Sequence, residues 1–385
     1  MQTAAPAPKI KTGTQPMLIA AQIARVVVGV VFIFSGLIKL NDPVGTQIKF
    51  EEYFEVFAQD LPLLHDFFMG LVPFTLAMSV LFCAAEVILG VALLAGYKPK
   101  VTVWLLFFLI AFFTFLTFYS AYFNRVTDCG CFGDAIKLKP WHSFYKDVVL
   151  SVLILFIIGH RNRLKARPTG WLVGLTTALT LGLGVYAVMF LPPIDMLPYA
   201  VGKSIPAGMQ PSEPLRYEYI MEKDGKQVKL DKYPTEPGYA FKEMVLVNEG
   251  ARPKITDYRI WTDGSELESD FTQESFKGNK LFIIVKNTKD IDAGSIPAIR
   301  SLAEGLKGST VSPYILTSTS DAEIQAFRKE FQLENVPYYK ADATVLKTIM
   351  RSNPGTWLLS NGVVRGKWHY NKTPDAEEVK KIVNE

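Results

Sequence analysis

Cysteine is scarce in this chain. It has three cysteines in 385 residues, and none follows Cys131, so the long remainder can form no disulfide of its own. The four histidines are scattered, with no H-E-x-x-H pair and no triad-like set, which removes the common zinc-hydrolase and nucleophile–base patterns. No P-loop or Gly-rich dinucleotide fingerprint appears. No basic stripe with interleaved aromatics appears either, so nucleic acid is excluded as a partner. Charge is thin in the first half and balanced in the second. Residues 1–198 carry 15 Lys+Arg against 11 Asp+Glu, and the rest carry 26 against 26.

What the first half has instead is long apolar runs. Five are long enough to span a bilayer, which takes about 20 residues: Met17–Leu37, Leu71–Ala95, Val101–Tyr122, Ser143–Ile158 and Gly170–Leu191. Four apolar segments after the first, with no cleavage site after Leu40, argue against a secretory signal. The Ala/Pro/Thr-rich residues 1–16 read as a disordered cytoplasmic tail. Tyr97–Lys100 and His160–Arg167 are basic, whereas residues 41–66 are acidic through Asp42, Glu51, Glu52, Glu55, Asp60 and Asp66. The positive-inside rule then places the N-terminus and both basic loops in the cytoplasm. The acidic loop, the loop around Cys129 and everything after Leu191 lie outside, which for a bacterial inner membrane is the periplasm.

Arg25 and Glu86 fall inside spans, where a charge demands a partner. Each lies ~12–14 Å from the cytoplasmic end of its helix by the 1.5 Å rise, so the two are expected to pair. A proton- or quinone-handling site is the alternative use of them. Cys83, a turn before Glu86, reads as a small buried apolar residue. Phe50, Phe54 and Phe57 recur at helical spacing, which suits either a helix lying on the membrane surface or one capping the bundle.

After Pro192-Pro193 the pattern becomes that of a soluble chain. Residues 199–276 read as a β-rich lead-in, with a hairpin at Asp224-Gly225 and a strand over Lys254–Trp261. From 277 to 385 the order is strand Leu281–Val285, a helix through Ile296–Leu306, strand Tyr314–Thr317, a helix opened by the capping box Ser320–Glu323, strand Tyr338–Lys340, and a helix near Thr344–Met350. A hairpin of Thr356–Ser360 and Val363–Trp368 and a last helix follow. This is the thioredoxin order, and Pro354 stands where that fold keeps a cis-proline.

The stretches Ser35-Gly36-Leu37-Ile38-Lys39-Leu40-Asn41-Asp42-Pro43, Glu86-Val87-Ile88-Leu89-Gly90 and Cys129-Gly130-Cys131-Phe132-Gly133 give residues 17–195 a resemblance to the DoxX/MauE family of bacterial membrane proteins. The resemblance implies a helical membrane bundle and a role in disulfide formation or maturation of a periplasmic protein, as inferred for methylamine utilisation. Residues 277–385 resemble the thioredoxin-like domains of TlpA-type proteins, and the two-part arrangement is similar to DoxX-family proteins of Bacteroidetes-type bacteria. One departure is decisive for chemistry. Lys286–Ser295, where a thioredoxin carries C-x-x-C, contains no cysteine, so that domain is expected to bind or position a partner rather than exchange thiols.

Cys129 and Cys131 are therefore the candidate redox pair. A ring closed across one glycine departs from relaxed disulfide geometry, and strained disulfides are the oxidising, labile kind. A membrane quinone is the candidate electron acceptor. A structural bridge is the competing use of the pair. A metal is less suited, since C-x-C supplies two ligands and His142 at most a third. The expected partners are membrane lipid and a periplasmic protein. The expected architecture is thus a multi-domain chain: a five-helix membrane bundle, a small β-rich segment and an α/β thioredoxin-like domain.

Overall fold

The computed structural model describes residues 15–126, 139–262 and 270–385. The chain divides into two compact units, Met1–Ile194 and Asp195–Glu385.

The first unit is helical: α1 (Gln15–Asn41), α2 (Pro43–Asp60), α3 (His65–Leu71), α4 (Thr75–Ala95), α5 (Pro99–Phe123), α6 (Pro140–Gly159) and α7 (Gly170–Phe190). Among the described residues five helical stretches are long and apolar enough to cross a membrane: Pro16–Asn41, Pro62–Ala95, Pro99–Phe123, Pro140–Gly159 and Gly170–Phe190. Proline opens several of them because its fixed φ and missing N–H suit the first helical turn. Pro140 does so for α6, lengthening the shortest expected span to a full 20 residues. Their outer faces carry exposed Ile19, Val26, Leu81, Phe108, Val152 and Leu179, an apolar surface that water would not tolerate but lipid does.

α1 and α4 pack closely because glycine lets them. A Cβ on Gly36 would stand 2.9 Å from the Cys83 carbonyl oxygen, and one on Gly90 would stand 2.9 Å from that of Gly29. Small residues at a membrane helix contact allow this backbone approach. Between α1, α5 and α6 the core is Val28, Phe32, Leu106, Ile110, Ile154 and Ile157. The aromatic face of α2 turns onto the bundle rather than along a membrane surface. Phe50 meets Phe82 with ring centroids 5.7 Å apart, and Phe57 meets Tyr119 at 4.8 Å.

The second unit is sheet-rich. It holds a one-turn α8 (Ile205–Gly208), strands β1 (Tyr217–Lys223), β2 (Lys226–Leu230), β3 (Ala240–Leu246), β4 (Ile260–Trp261) and β5 (Asn279–Val285), then α9 (Ile296–Gly305), β6 (Val311–Thr317), α10 (Asp321–Glu330), β7 (Tyr338–Ala341), α11 (Ala343–Ile349), β8 (Gly355–Ser360), β9 (Val363–His369) and α12 (Ala376–Asn384). β2, β1 and β3 form a three-stranded antiparallel sheet. Its hairpin turns at Asp224 and Gly225, both at positive φ (51° and 73°), as a type I′ turn requires.

The larger sheet runs β9-β8-β5-β6-β7-β4. β5 and β6 pair in parallel around α9, and β8 lies antiparallel to β5. From Leu281 to Val285 β5 is apolar because both faces are covered: Leu281, Ile283 and Val285 share the face that packs on Ile296, Ile299 and Leu302 of α9, and Phe282 on the opposite face meets Tyr314 and Trp357, with ring centroids 5.9 and 5.7 Å away. The strand expected over Lys254–Trp261 shrinks to the two residues of β4, which pair with β7. The backbone before it is held by separate contacts: the Ile255 N–H donates to the Gly208 carbonyl at 3.0 Å, and Tyr258 drives its ring into the core, with its hydroxyl 3.1 Å from Ser275. Burial pushes the Tyr258 phenol well above its usual range.

Candidate functional site in the membrane unit

Cys129 and Cys131 lie outside the described residues. The chain entering that stretch is anchored. Val126 is fully buried against Phe50, Tyr53, Phe54 and Phe57 of α2, and its carbonyl accepts a hydrogen bond from the Ser120 hydroxyl. Arg125 pairs with Asp60 at the end of α2 at 3.2 Å, and the Tyr119 hydroxyl also donates to Asp60. The acidic helix thus holds the chain at the point where it leaves α5.

The charged centre of the bundle is different from the expected one. Glu86 pairs with Lys39, not with Arg25, and both partners are almost wholly buried. Helix register explains the exchange. Gly36 lies against Cys83 and the Cβ of Glu86, so Lys39, a turn later on α1, reaches the carboxylate. Arg25 sits about four turns away, level with the C-terminal end of α4. There its guanidinium donates to the carbonyls of Leu93 (2.8 Å) and Leu94 (2.6 Å), filling orphan acceptors and opposing the negative end of the helix dipole. Arg25 is a helix cap.

Around the Lys39–Glu86 pair, the Phe113 ring lies 4.5 Å under the ammonium and the Cys83 thiol faces the Thr46 hydroxyl at 3.8 Å. Asp42 caps α2 through the Gly45 N–H at 3.0 Å. Among the described residues Glu86 Oε2 has no hydrogen-bond partner. A charged pair buried in a membrane bundle with one carboxylate oxygen left over can bind a proton or accept a donor from a small molecule. The Ser35–Pro43 and Glu86–Gly90 stretches, some fifty residues apart in sequence, are therefore the two walls of one site.

A second polar line runs between α5 and α6. The Thr117 hydroxyl donates to Asp147 Oδ2 at 3.0 Å, Lys146 Nζ lies 2.7 Å from Oδ1 as an ion pair, and Thr114 and Ser151 hydroxyls meet at 3.3 Å. Lys39 and Asp147 were both within reach of sequence reasoning. Lys39 is the next helical turn beyond the assumed end of the first span, and Asp147 is an acid inside the fourth. Among the described residues no group of three or more His, Cys, Asp or Glu is placed to hold a metal ion.

In the second unit the Asn353-Pro354 peptide is cis. Asn353 ties down the loop that follows β5: its Oδ1 accepts from the Lys286 N–H at 3.0 Å, its Nδ2 donates to the Asn287 carbonyl at 2.7 Å, and its carbonyl accepts from the Asp292 N–H at 3.1 Å. Asp292 in turn accepts from the Ser295 N–H at 2.9 Å, just ahead of α9. Burial, and then the charge of Asp292, raise the Tyr370 phenol above its usual range. The loop is thus closed by amides and a carboxylate and contains no cysteine.

Residues 17–159 match the family described as Methylamine utilisation protein MauE. The matched span runs from α1 to the end of α6 and includes the Cys129–Cys131 stretch; over these residues the chain is similar to that family. No curated protein matches the chain.

Proposed function

We propose that this chain is an integral inner-membrane protein that supports extracytoplasmic thiol–disulfide chemistry, or the maturation of a partner protein, through Cys129 and Cys131. The observation that carries this reading is the convergence of Ser35–Pro43 and Glu86–Gly90 on one buried ionisable site, in a bundle whose family match also contains the two cysteines. In the reaction, two S–H bonds break and one S–S bond forms. The two electrons and two protons reduce a membrane quinone to its quinol, and the disulfide then passes to a substrate dithiol by exchange. The charge of the loops favours a cytoplasmic N-terminus and a periplasmic second unit.

The second unit is best read as thioredoxin-like: the strand order β6-β5-β8-β9, the crossover through α9 and the placement of Pro354 all agree with that fold. Asn353 and Asp292 occupy the ground where a thiol pair would act, so the unit's role is to hold a partner. That supports a second reading, a membrane scaffold in which the Cys129–Cys131 pair is structural.

Thiol trapping in cells separates the two. A cycling pair, and a Cys131→Ser variant that captures a partner as a mixed disulfide, support the carrier. A pair that stays oxidised, with full function in the double Ser variant and loss of function on removal of residues 195–385, establishes the scaffold instead.

A further inference from the structure

The α5–α6 seam holds a buried acid that neither the family match nor the thiol chemistry uses. Asp147 is 1% exposed and lies within a stretch apolar enough to cross a membrane. An ionisable group at such a position is costly and is kept for function more often than for packing. Its neighbours are arranged in layers. Antiparallel packing sets Thr117 against Asp147 and Thr114 against Ser151. The same register brings Ser120 and Ser143, both with no exposed surface, to one level a turn nearer the end of the bundle where residues 127–138 join the two helices. The hydroxyl line ends at Thr114, ~14 Å inside the end of α5 by the helical rise, and beyond it Ile110 and Ile154 close the seam.

The layers are not fully satisfied. Among the described residues the buried Ser143 hydroxyl has no hydrogen-bond partner, and Asp147 Oδ1 has an ion-pair contact but no hydrogen bond. An orphaned buried hydroxyl costs about 1–3 kcal/mol, and a polar, partly unsatisfied seam is where a buried water sits. Among the described residues the groups bonded to Asp147 are Lys146 on its own helix and Thr117 on α5. α1, which also packs on α6, contributes Lys39, whose charge is engaged by Glu86.

We infer that the α5–α6 seam is a proton-binding site, in which Asp147 exchanges a proton with the loop end of the bundle through the Ser143 hydroxyl and water held beside it. The assignment goes beyond the thiol reading. Oxidation of a dithiol would release protons that Asp147 can relay toward the acceptor, but the seam binds a proton whichever reaction supplies it. A purely structural seam, helix glue through Thr117, predicts an acid whose proton exchange is indifferent to Ser143.

The test uses the full chain in lipid nanodiscs and infrared difference spectra over pH steps, in H2O and D2O. The expected result is a protonated-carboxyl band that grows as pH falls, shifts on transfer to D2O, disappears in Asp147→Asn and persists in Glu86→Gln. Asn keeps an acceptor for Thr117, so the variant is expected to fold. Thr117→Val, which removes the donor to Oδ2, is the second variant and is expected to move the band and its titration midpoint. Ser143→Ala is expected to slow the D2O shift. A spectrum unchanged in Asp147→Asn, or in Thr117→Val if the Asn variant does not fold, overturns the site. An unchanged exchange rate in Ser143→Ala overturns the route. The double Cys→Ser chain is expected to give the same titration, so failure of the thiol reading leaves these outcomes intact.

Discussion

The two units bury polar groups in opposite ways. The membrane unit places ionisable side chains in its interior, Lys39 with Glu86 and Asp147 with Thr117, and leaves carboxylate oxygens short of partners. The second unit keeps most of its ion pairs at the surface and spends its carboxylates on helix ends, with Asp342, Asp375 and the Ser320–Glu323 box each closing an N-terminus. The sheet unit also buries polar atoms without a hydrogen bond, but most belong to neutral groups, those of Tyr199, Thr356 and Trp357, whereas apolar surroundings make a buried charge the costlier group to leave incomplete.

Substitutions can break this comparison. The largest effect is expected from splitting the buried pair. Lys39→Met should cost about 3–5 kcal/mol because it strands the Glu86 charge, and the added change Glu86→Leu should recover most of it. Thermal unfolding of the three variants in lipid measures the recovery, and a double variant as unstable as the single one removes the pair from the account. In the sheet unit no such rescue exists: Ile299→Ala, at a fully buried position, should cost about 3 kcal/mol by its cavity alone. Arg25→Met should cost about 2 kcal/mol through two lost charged hydrogen bonds. It should leave the Lys39–Glu86 pair undisturbed, which a double-mutant cycle with Glu86 tests by additivity.

The smallest effect is expected at α10. Ser320→Ala should lower the stability of the second unit by about 1 kcal/mol. The bonds from Ser320 hold the Glu323 carboxyl below its usual range. A depressed folded value contributes stability above the ordinary carboxylate range, and that contribution is lost as pH falls through the folded value. Unfolding between neutral and acid pH should therefore show a shallower acid loss in Ser320→Ala than in the unsubstituted chain.

The five apolar spans and the strand–helix order after residue 277 were legible because each depends on local periodicity and length, and so was the Ser320 capping box. The partner of Glu86 was not. Which of Arg25 and Lys39 reaches it depends on how far α1 slides along α4, and that is set by the glycine contacts of Gly36 and Gly90, which only the packed pair reveals. The face of α2 was equally open, since an aromatic stripe fits a lipid surface or a bundle until Phe82 and Tyr119 are seen beneath it. The β-rich lead-in was read as a separate piece because β4 is two residues long and its partner, β7, lies nearly eighty residues later.

That two-residue strand has a practical consequence for anyone cutting the chain. A fragment begun at residue 277 would have the strand–helix order of a complete domain, yet its sheet would end on an uncovered β7. Trp357 would lose the rings of Tyr199 and Tyr258, which pack 6.1 and 6.3 Å from it. β9 would lose the Gly202–Ile205 segment that bonds to Val364 and Gly362. The compact unit that keeps all of these contacts is Asp195–Glu385, and expression trials that begin at residue 277 are trials of a different surface.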